Sequence, residues 1–176
     1  MSEAVTVDAY GVQTEPATVR IQRLLPGPIE RVWDYMTKSD LRRQWLAAGP
    51  MDLRVGGAVE LTWRNDELSA QSEPRPDDVS AEHSMTSQIT RIEPPRLLAF
   101  TWNNGEVTFE LDRQGGEVLL TVTHRRLPDR DTLLRVSAGW HAHLDILADR
   151  LAGREPGAFW SKWARLRGDY GRRLPA

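Results

Sequence analysis

The side chains best equipped for chemistry in this sequence are four histidines, His83, His124, His141 and His143. Imidazole can ligate a metal or move a proton. A shared ion needs two of them on one side of an element, and His141 and His143, two positions apart in a helical stretch, fall about 160° apart around the axis. No metal site is expected. Cysteine is absent, which removes thiolate ligands, disulfides and a cysteine nucleophile together. Ser84, Ser87 and Ser137 lack the strand–turn–helix context that activates a serine. Carboxylates gather in one acidic stretch or at outward strand positions such as Glu60 and Glu110. Gly56-Gly57 and Gly115-Gly116 lack the further glycine and helix start of a phosphate loop. No catalytic residue and no cofactor is therefore assigned.

Binding is the chemistry the pattern favours. Seven tryptophans stand against three phenylalanines, and indole joins a large apolar body to an N–H donor, which suits a pocket wall as well as a core. Strand alternation turns Trp63, Met85 and Phe109 toward one interior, and helical spacing turns Trp140 the same way. The same parity carries His83 and His124 inward. His124 continues the face of Val118, Leu120 and Val122, where an imidazole needs a partner or a ligand. The candidate ligand-binding set is Trp63, His83, Met85, Trp102, Phe109, His124, Trp140, His141 and Leu144. The competing expectation is that these side chains simply fill a solid core.

The elements that must position them can be read from the period of the apolar residues. Val19 and Ile21 alternate with Thr18, Arg20 and Gln22 as a first strand. Pro26-Gly27-Pro28 then opens a short amphipathic helix carrying Ile29, Val32, Trp33 and Met36. Ser39 can cap a second short helix with Leu41 and Trp45, stopped by Gly49-Pro50. Gly56-Gly57 is expected to join Asp52–Val55 to Val59–Trp63 as a hairpin, and Asn104-Gly105 and Gly115-Gly116 mark two more. The stretch from Asn65 to Glu82 holds six acidic residues against one arginine and has no apolar period, so it is expected to be a long mobile loop, able to act as a lid. Six or seven antiparallel strands result.

After the strands comes one long helix. Asp129 or Asp131 can cap a stripe of Leu133, Val136, Trp140, Leu144, Leu147 and Leu151, ended by Gly153 and Pro156. At about 22 residues it spans roughly 33 Å, enough to cross a small sheet. Phe159, Trp163, Leu166 and Tyr170 repeat the spacing in a further terminal helix. The expected division is a flexible tail over 1–16, an α+β domain over 17–152, and an appended helix over 153–176.

Composition narrows the function classes. A chain of 176 residues with 40% hydrophobic content supports one well-buried core. The net charge of −2, without any run of like charges, excludes the basic footprint of a nucleic-acid binder. No apolar stretch approaches the roughly 18 residues that could span a membrane, and residues 1–15 have no signal-peptide pattern. A cytoplasmic protein is expected.

Several phrases carry a family resemblance: Pro28-Ile29-Glu30-Arg31-Val32-Trp33, Asp40-Leu41 through Trp45, Asp52-Leu53-Arg54-Val55-Gly56-Gly57, Glu93-Pro94-Pro95-Arg96-Leu97, Thr101-Trp102, and Gly139-Trp140 with Leu144. Together, over about Thr18 to Leu151, the chain resembles the START-like (SRPBCC, Bet v 1-like) superfamily, in its branch similar to the activator of the heat-shock-protein-90 ATPase. The resemblance implies the helix-grip fold, a curved sheet wrapped around the long helix with space left between them. It implies three kinds of function: binding of a small hydrophobic or aromatic ligand without catalysis, a stress-response or co-chaperone-type protein interaction, or a polyketide cyclase or aromatase activity with His124 moving protons. The eukaryotic activator adds a separate chaperone-contacting domain, and only sixteen residues precede the first strand here, so ligand binding is the leading expectation. The partner would be a small hydrophobic molecule, with a protein partner second, and the state a monomer or homodimer.

Overall fold

The computed structural model describes residues 8–68, 75 and 81–174. Its chain order is β1 (Val12–Glu15), β2 (Thr18–Pro26), α1 (Ile29–Thr37), α2 (Ser39–Arg42), β3 (Ala58–Trp63), β4 (His83–Glu93), β5 (Leu97–Trp102), β6 (Gly105–Gln114), β7 (Glu117–Arg125), α3 (Arg130–Leu151) and α4 (Phe159–Arg173). The strands form one curved antiparallel sheet in the order β1-β2-β7-β6-β5-β4-β3. This is the α+β helix-grip architecture that the resemblance implies, built from the strands and long helix that the apolar periods predict.

Register explains the inner face. Val19 lies opposite His124, His124 opposite Val107, Val107 opposite Phe100, and Phe100 opposite Ile89. A row across five strands is therefore apolar except for one imidazole. Side chains two residues away repeat the pattern, with Ile21, Val122, Phe109 and Leu98 in line. Since the side-chain period of a strand is two, a slip of one residue would expose the whole set, and burial fixes the pairing.

The long helix α3 closes that face. Asp129 caps it by accepting from the Thr132 N–H at 2.8 Å, which holds the Asp129 carboxyl below the usual carboxylate range. Burial extends beyond the expected stripe: Ala138, His141, Ala142, His143 and Ile146 are buried as well. The reason is α4, which packs on a second side of α3 and buries Phe159, Trp160, Leu166 and Tyr170. A stripe read from one helix alone cannot register a second partner.

Four local expectations change. The tail is folded from residue 8 to 15: Gly11 N–H donates to the Tyr170 hydroxyl at 2.7 Å, and β1 adds itself to the edge of β2. The remaining tail residues, 1–7, lie outside those described. Asp52–Val55 forms an irregular turn instead of a strand, because its hydrogen bonds close locally: Asp52 N–H donates to the Ala58 carbonyl, Arg54 N–H to that of Asp52 and Gly57 N–H to that of Arg54, and pairing with β3 is confined to single bridges at Ala48 and Met51. The β5–β6 turn sits one residue earlier than Asn104-Gly105. Gly105 already pairs with Trp102, and a side chain there would run into the Arg125 carbonyl. Within the acidic stretch, Asn65–Glu67 make a 3₁₀ turn and Leu68 is buried, while residues 69–74 and 76–80 lie outside those described.

A buried arginine does more of the positioning than the sequence indicates. Arg42 donates to the carbonyls of Met36, Thr37, Ala47 and Gly49, so one guanidinium satisfies the end of α1 and the segment after α2. Burial lowers its pKa to about 10, which leaves it charged. Ser39 accepts from the Gly49 N–H at 2.9 Å. That segment in turn sets Trp45 and Leu46 against the core.

Candidate functional site

The sheet and the two terminal helices do not fill the space between them. At the β3–β5 end a cavity of about 410 Å³ remains, within the roughly 300–1,000 Å³ range of small-molecule sites. From α3 it is bordered by Arg135, Val136, Gly139, Trp140 and His143; from the sheet by Trp63, His83, Met85, Trp102 and Asn103. Phe159, Trp160 and Trp163 of α4 form another wall, and Leu46 and Asn65 complete it.

Two aromatic runs make these walls. On the sheet side Trp63 meets Trp102 with ring centroids 5.3 Å apart, and Trp102 meets Trp140 at 5.4 Å. On the helical side Phe159 meets Trp160 at 4.9 Å, and Trp160 meets Trp163 at 6.3 Å. All four contacts are edge-on or tilted, the arrangement that opposes one ring's positive edge to another's negative face. The indole N–H groups are tethered from behind: Trp140 donates to His124 Nδ1 at 3.0 Å and Trp160 to Asp66 Oδ1 at 2.7 Å. One indole in each run is thus fixed by its own hydrogen bond.

The states of the histidines are set by their partners. Indole can only donate, so His124 Nδ1 must carry a lone pair, and burial lowers its pKa to about 4. His143 Nδ1 lies 2.8 Å from the Trp45 carbonyl, which can only accept, so this nitrogen carries the proton. Burial again lowers the pKa to about 4, against that bond. His141 faces away from the cavity. Its Nδ1 lies 2.8 Å from the Tyr170 hydroxyl and its Nε2 3.4 Å from Asp145. Arg23 and Lys162 reach the same carboxylate at 2.9 and 2.5 Å. Asp145–His141–Tyr170 has the order of a proton relay, but Tyr170 is fully buried, its hydroxyl already accepts from Gly11, and none of the three borders the cavity. Burial drives the Tyr170 pKa up to about 12, which makes it a poor base or nucleophile. Among the described residues no group of three or more histidine, aspartate or glutamate side chains could hold a metal ion.

Residues 26–152 match the family described as "Activator of Hsp90 ATPase homolog 1-like protein". The chain belongs to this family. Membership places it in the START-like, or SRPBCC, superfamily, and the family match ends at the close of α3. The α4 wall of the cavity therefore lies beyond the matched segment. A Bordetella parapertussis protein, solved by NMR in solution, is 39% identical over 100% of this chain and 97% of its own, with a TM-score of 0.80. CalU16 from Micromonospora echinospora is 23% identical, over 93% of this chain and 91% of its own, at a TM-score of 0.62. The Aha1 dimer from Colwellia psychrerythraea is 14% identical, over 76% of this chain and 95% of its own, at 0.58. The last two share the fold with this family member. No curated protein matches the chain. No helix among the described residues is long and apolar enough to cross a membrane.

Of the residues that the sequence pattern picks out, Trp63, His83, Met85, Trp102 and Trp140 border the cavity of this Hsp90-activator-like domain. Phe109, His124 and Leu144 are buried outside its lining: Phe109 backs Trp140 at 5.5 Å, His124 holds its N–H, and Leu144 is in the core. His141 belongs to the Tyr170 cluster. Asn65, Arg135, Gly139, His143 and the aromatic residues of α4 border the cavity although the pattern does not pick them out. Gly139 carries a readable signal, since glycine inside an otherwise strong helical pattern weakens the helix. The contribution of α4 depends on how two helices dock and leaves no local trace.

Proposed function

We propose that this protein binds a small hydrophobic or aromatic molecule in the cavity between β3–β5, α3 and α4, and acts as a binding module without converting it. The observation that carries this reading is the cavity itself: about 410 Å³ walled by two pre-oriented aromatic runs. Two further features support it. Asn65 borders the space with a buried side-chain oxygen that has no hydrogen-bond partner among the described residues, a state that costs about 1–3 kcal/mol and that a ligand donor would relieve. Gly139 has nothing within 4 Å of where a Cβ would stand. The helix gives up about 1 kcal/mol relative to alanine at the position where a side chain would enter the cavity.

The test uses Gly139→Leu as a plug. Fatty acids, sterols, flavonoids and aromatic polyketides are screened by tryptophan fluorescence and melting temperature, on the native chain and on the variant. A ligand present at 100 times its Kd should stabilise the native chain by about 2.7 kcal/mol, and the variant should not respond. The reading is abandoned if no compound moves either signal and native mass spectrometry finds no copurified molecule.

A further inference from the structure

The cavity's electrostatics narrow the class of ligand. Five indoles around one space would suit a cation as readily as a neutral aromatic, since ring faces attract positive charge. The other lining residues decide between them. No aspartate or glutamate is among the described lining residues, and Arg135 is the one lysine or arginine among them. His143, buried and with its pKa lowered to about 4, adds no positive charge at neutral pH.

Arg135 is also available. Its ion-pair partner, Asp131, is one helical turn back at 3.9 Å, beyond hydrogen-bond distance, and that carboxylate already accepts from Arg167 at 2.7 Å. Arg135 makes no hydrogen bond within the described residues, and its side chain is 43% exposed at the rim. It stands four residues before Gly139 on α3, so guanidinium and glycine share one face of the helix. A flat ring lying over Gly139 would bring a substituent within the reach of a planar, bidentate donor.

We infer that the ligand is an aromatic acid: a planar ring system held between the tryptophan walls over Gly139, with a carboxylate, or an oxyanion of similar geometry, paired with Arg135. This rests on the cavity being a binding site, as proposed above, and adds the sign of the ligand's charge and the residue that reads it.

One ring system with three charges tests it. Binding of 2-naphthoate, neutral 2-naphthamide and cationic 2-(aminomethyl)naphthalene is measured by calorimetry on the native chain, Arg135→Gln and Gly139→Leu. The acid should bind at least about tenfold more tightly than the amide, as expected for a charge-assisted pair, with the amine weakest. Arg135→Gln should bring acid and amide together, and Gly139→Leu should abolish binding of all three. If the amide or amine binds as tightly as the acid, or Arg135→Gln leaves the acid's advantage intact, the inference fails while a Gly139→Leu-sensitive cavity stands. If none of the three binds while the wider screen finds a ligand, the inference fails and the cavity reading stands; if Gly139→Leu binds them as the native chain does, the cavity reading fails and the inference falls with it.

Discussion

Two clusters of aromatic and polar side chains sit against different sides of α3, and they differ in whether the chain completes them. In the first, Arg23 Nε donates to Asp145 at 3.1 Å, and its Nη2 approaches the same oxygen at 2.9 Å as an ion pair outside hydrogen-bond geometry. Lys162 and His141 reach the same carboxylate, His141 also meets the Tyr170 hydroxyl, that hydroxyl accepts from Gly11, and Tyr10 donates to Asp169 at 3.0 Å. In the second, the cavity, Asn65 keeps an oxygen without a partner among the described residues, and Arg135 has only the 3.9 Å ion pair with Asp131 and no hydrogen bond among them. A largely satisfied network of this kind rigidifies, whereas polar groups left unmet beside an aromatic-walled cavity are what a binding site presents. The two are joined through α4, whose Tyr170 end is anchored in the network and whose Phe159–Trp163 end walls the cavity.

The largest expected effect comes from the histidines that both regions bury. His124, His141 and His143 have pKa values near 4 in the fold, lowered in each case by burial, against an ordinary value of 6.5. Around His141, Asp145 opposes that lowering, while Arg23, Lys162 and Arg165 add to it. Above pH 6.5 neither the folded nor the unfolded chain protonates them, and stability is complete. Between 6.5 and about 4 the unfolded chain binds protons that the folded chain refuses, so stability falls as pH falls, by up to about 1.4 kcal/mol per pH unit for each histidine. Below about 4 this source of loss ends. Urea unfolding at pH 8, 6.5 and 5 should therefore show several kcal/mol lost, mostly across the last interval. His141→Gln should flatten that slope by about a third. A flat profile from pH 8 to 5 would mean these rings are not held neutral, and the closed network would lose its distinction from the open site.

How much of this is legible in the sequence differs between the two regions. The strands, the capped 22-residue helix and the inward parity of His124 follow from periods of two and 3.6 that a single segment displays. The cavity wall made by Trp63, Met85 and Trp102 of the sheet with Trp140 of α3 is readable for the same reason. The network is not: Gly11 and Tyr170 are 159 positions apart, and nothing local announces that a tail and a terminal helix meet. The α4 wall is hidden likewise, because Trp160, buried against the acidic stretch through Asp66, sits off the Phe159–Trp163–Leu166 stripe. Arg42 gives no sequence signal because arginine is rarely buried, and the four carbonyls it meets, all within seven residues of it, belong to the end of α1 and to irregular backbone after α2 that no apolar period describes.

Breaking the network at its centre should cost less than the full pH excursion but more than any single hydrogen bond. Asp145 faces Arg23, whose side chain is 8% exposed, so Asp145→Ala leaves a buried guanidinium without its counter-charge. Lost partners of that kind cost about 3–5 kcal/mol. Because Asp145 is itself 25% exposed, the lower figure, about 3 kcal/mol, is expected in chemical denaturation. If the network is what fixes α4, hydrogen exchange along Phe159–Arg173 should rise in the variant while that of β2 and β7 stays near native. A uniform rise across the chain would instead make the network one more part of a single cooperative core.

The smallest effect is the most discriminating, because its sign is opposite. Gly139 lies mid-helix with open space where a methyl group would go, so Gly139→Ala removes a poor helix former without a clash. The variant should gain about 0.5–1 kcal/mol and melt roughly 2–4 °C higher, while a ligand that lies over that position should bind less well. Stability and binding then move in opposite directions at one residue, as happens where a fold keeps a local weakness for the sake of a site. The equivalent change in the closed region has no such trade: Tyr170→Phe removes the acceptor for Gly11 and the partner of His141, and should only destabilise. A Gly139→Ala protein that melted lower than the native chain would show that the space over the helix is not open, and the contrast between the two sides of α3 would collapse.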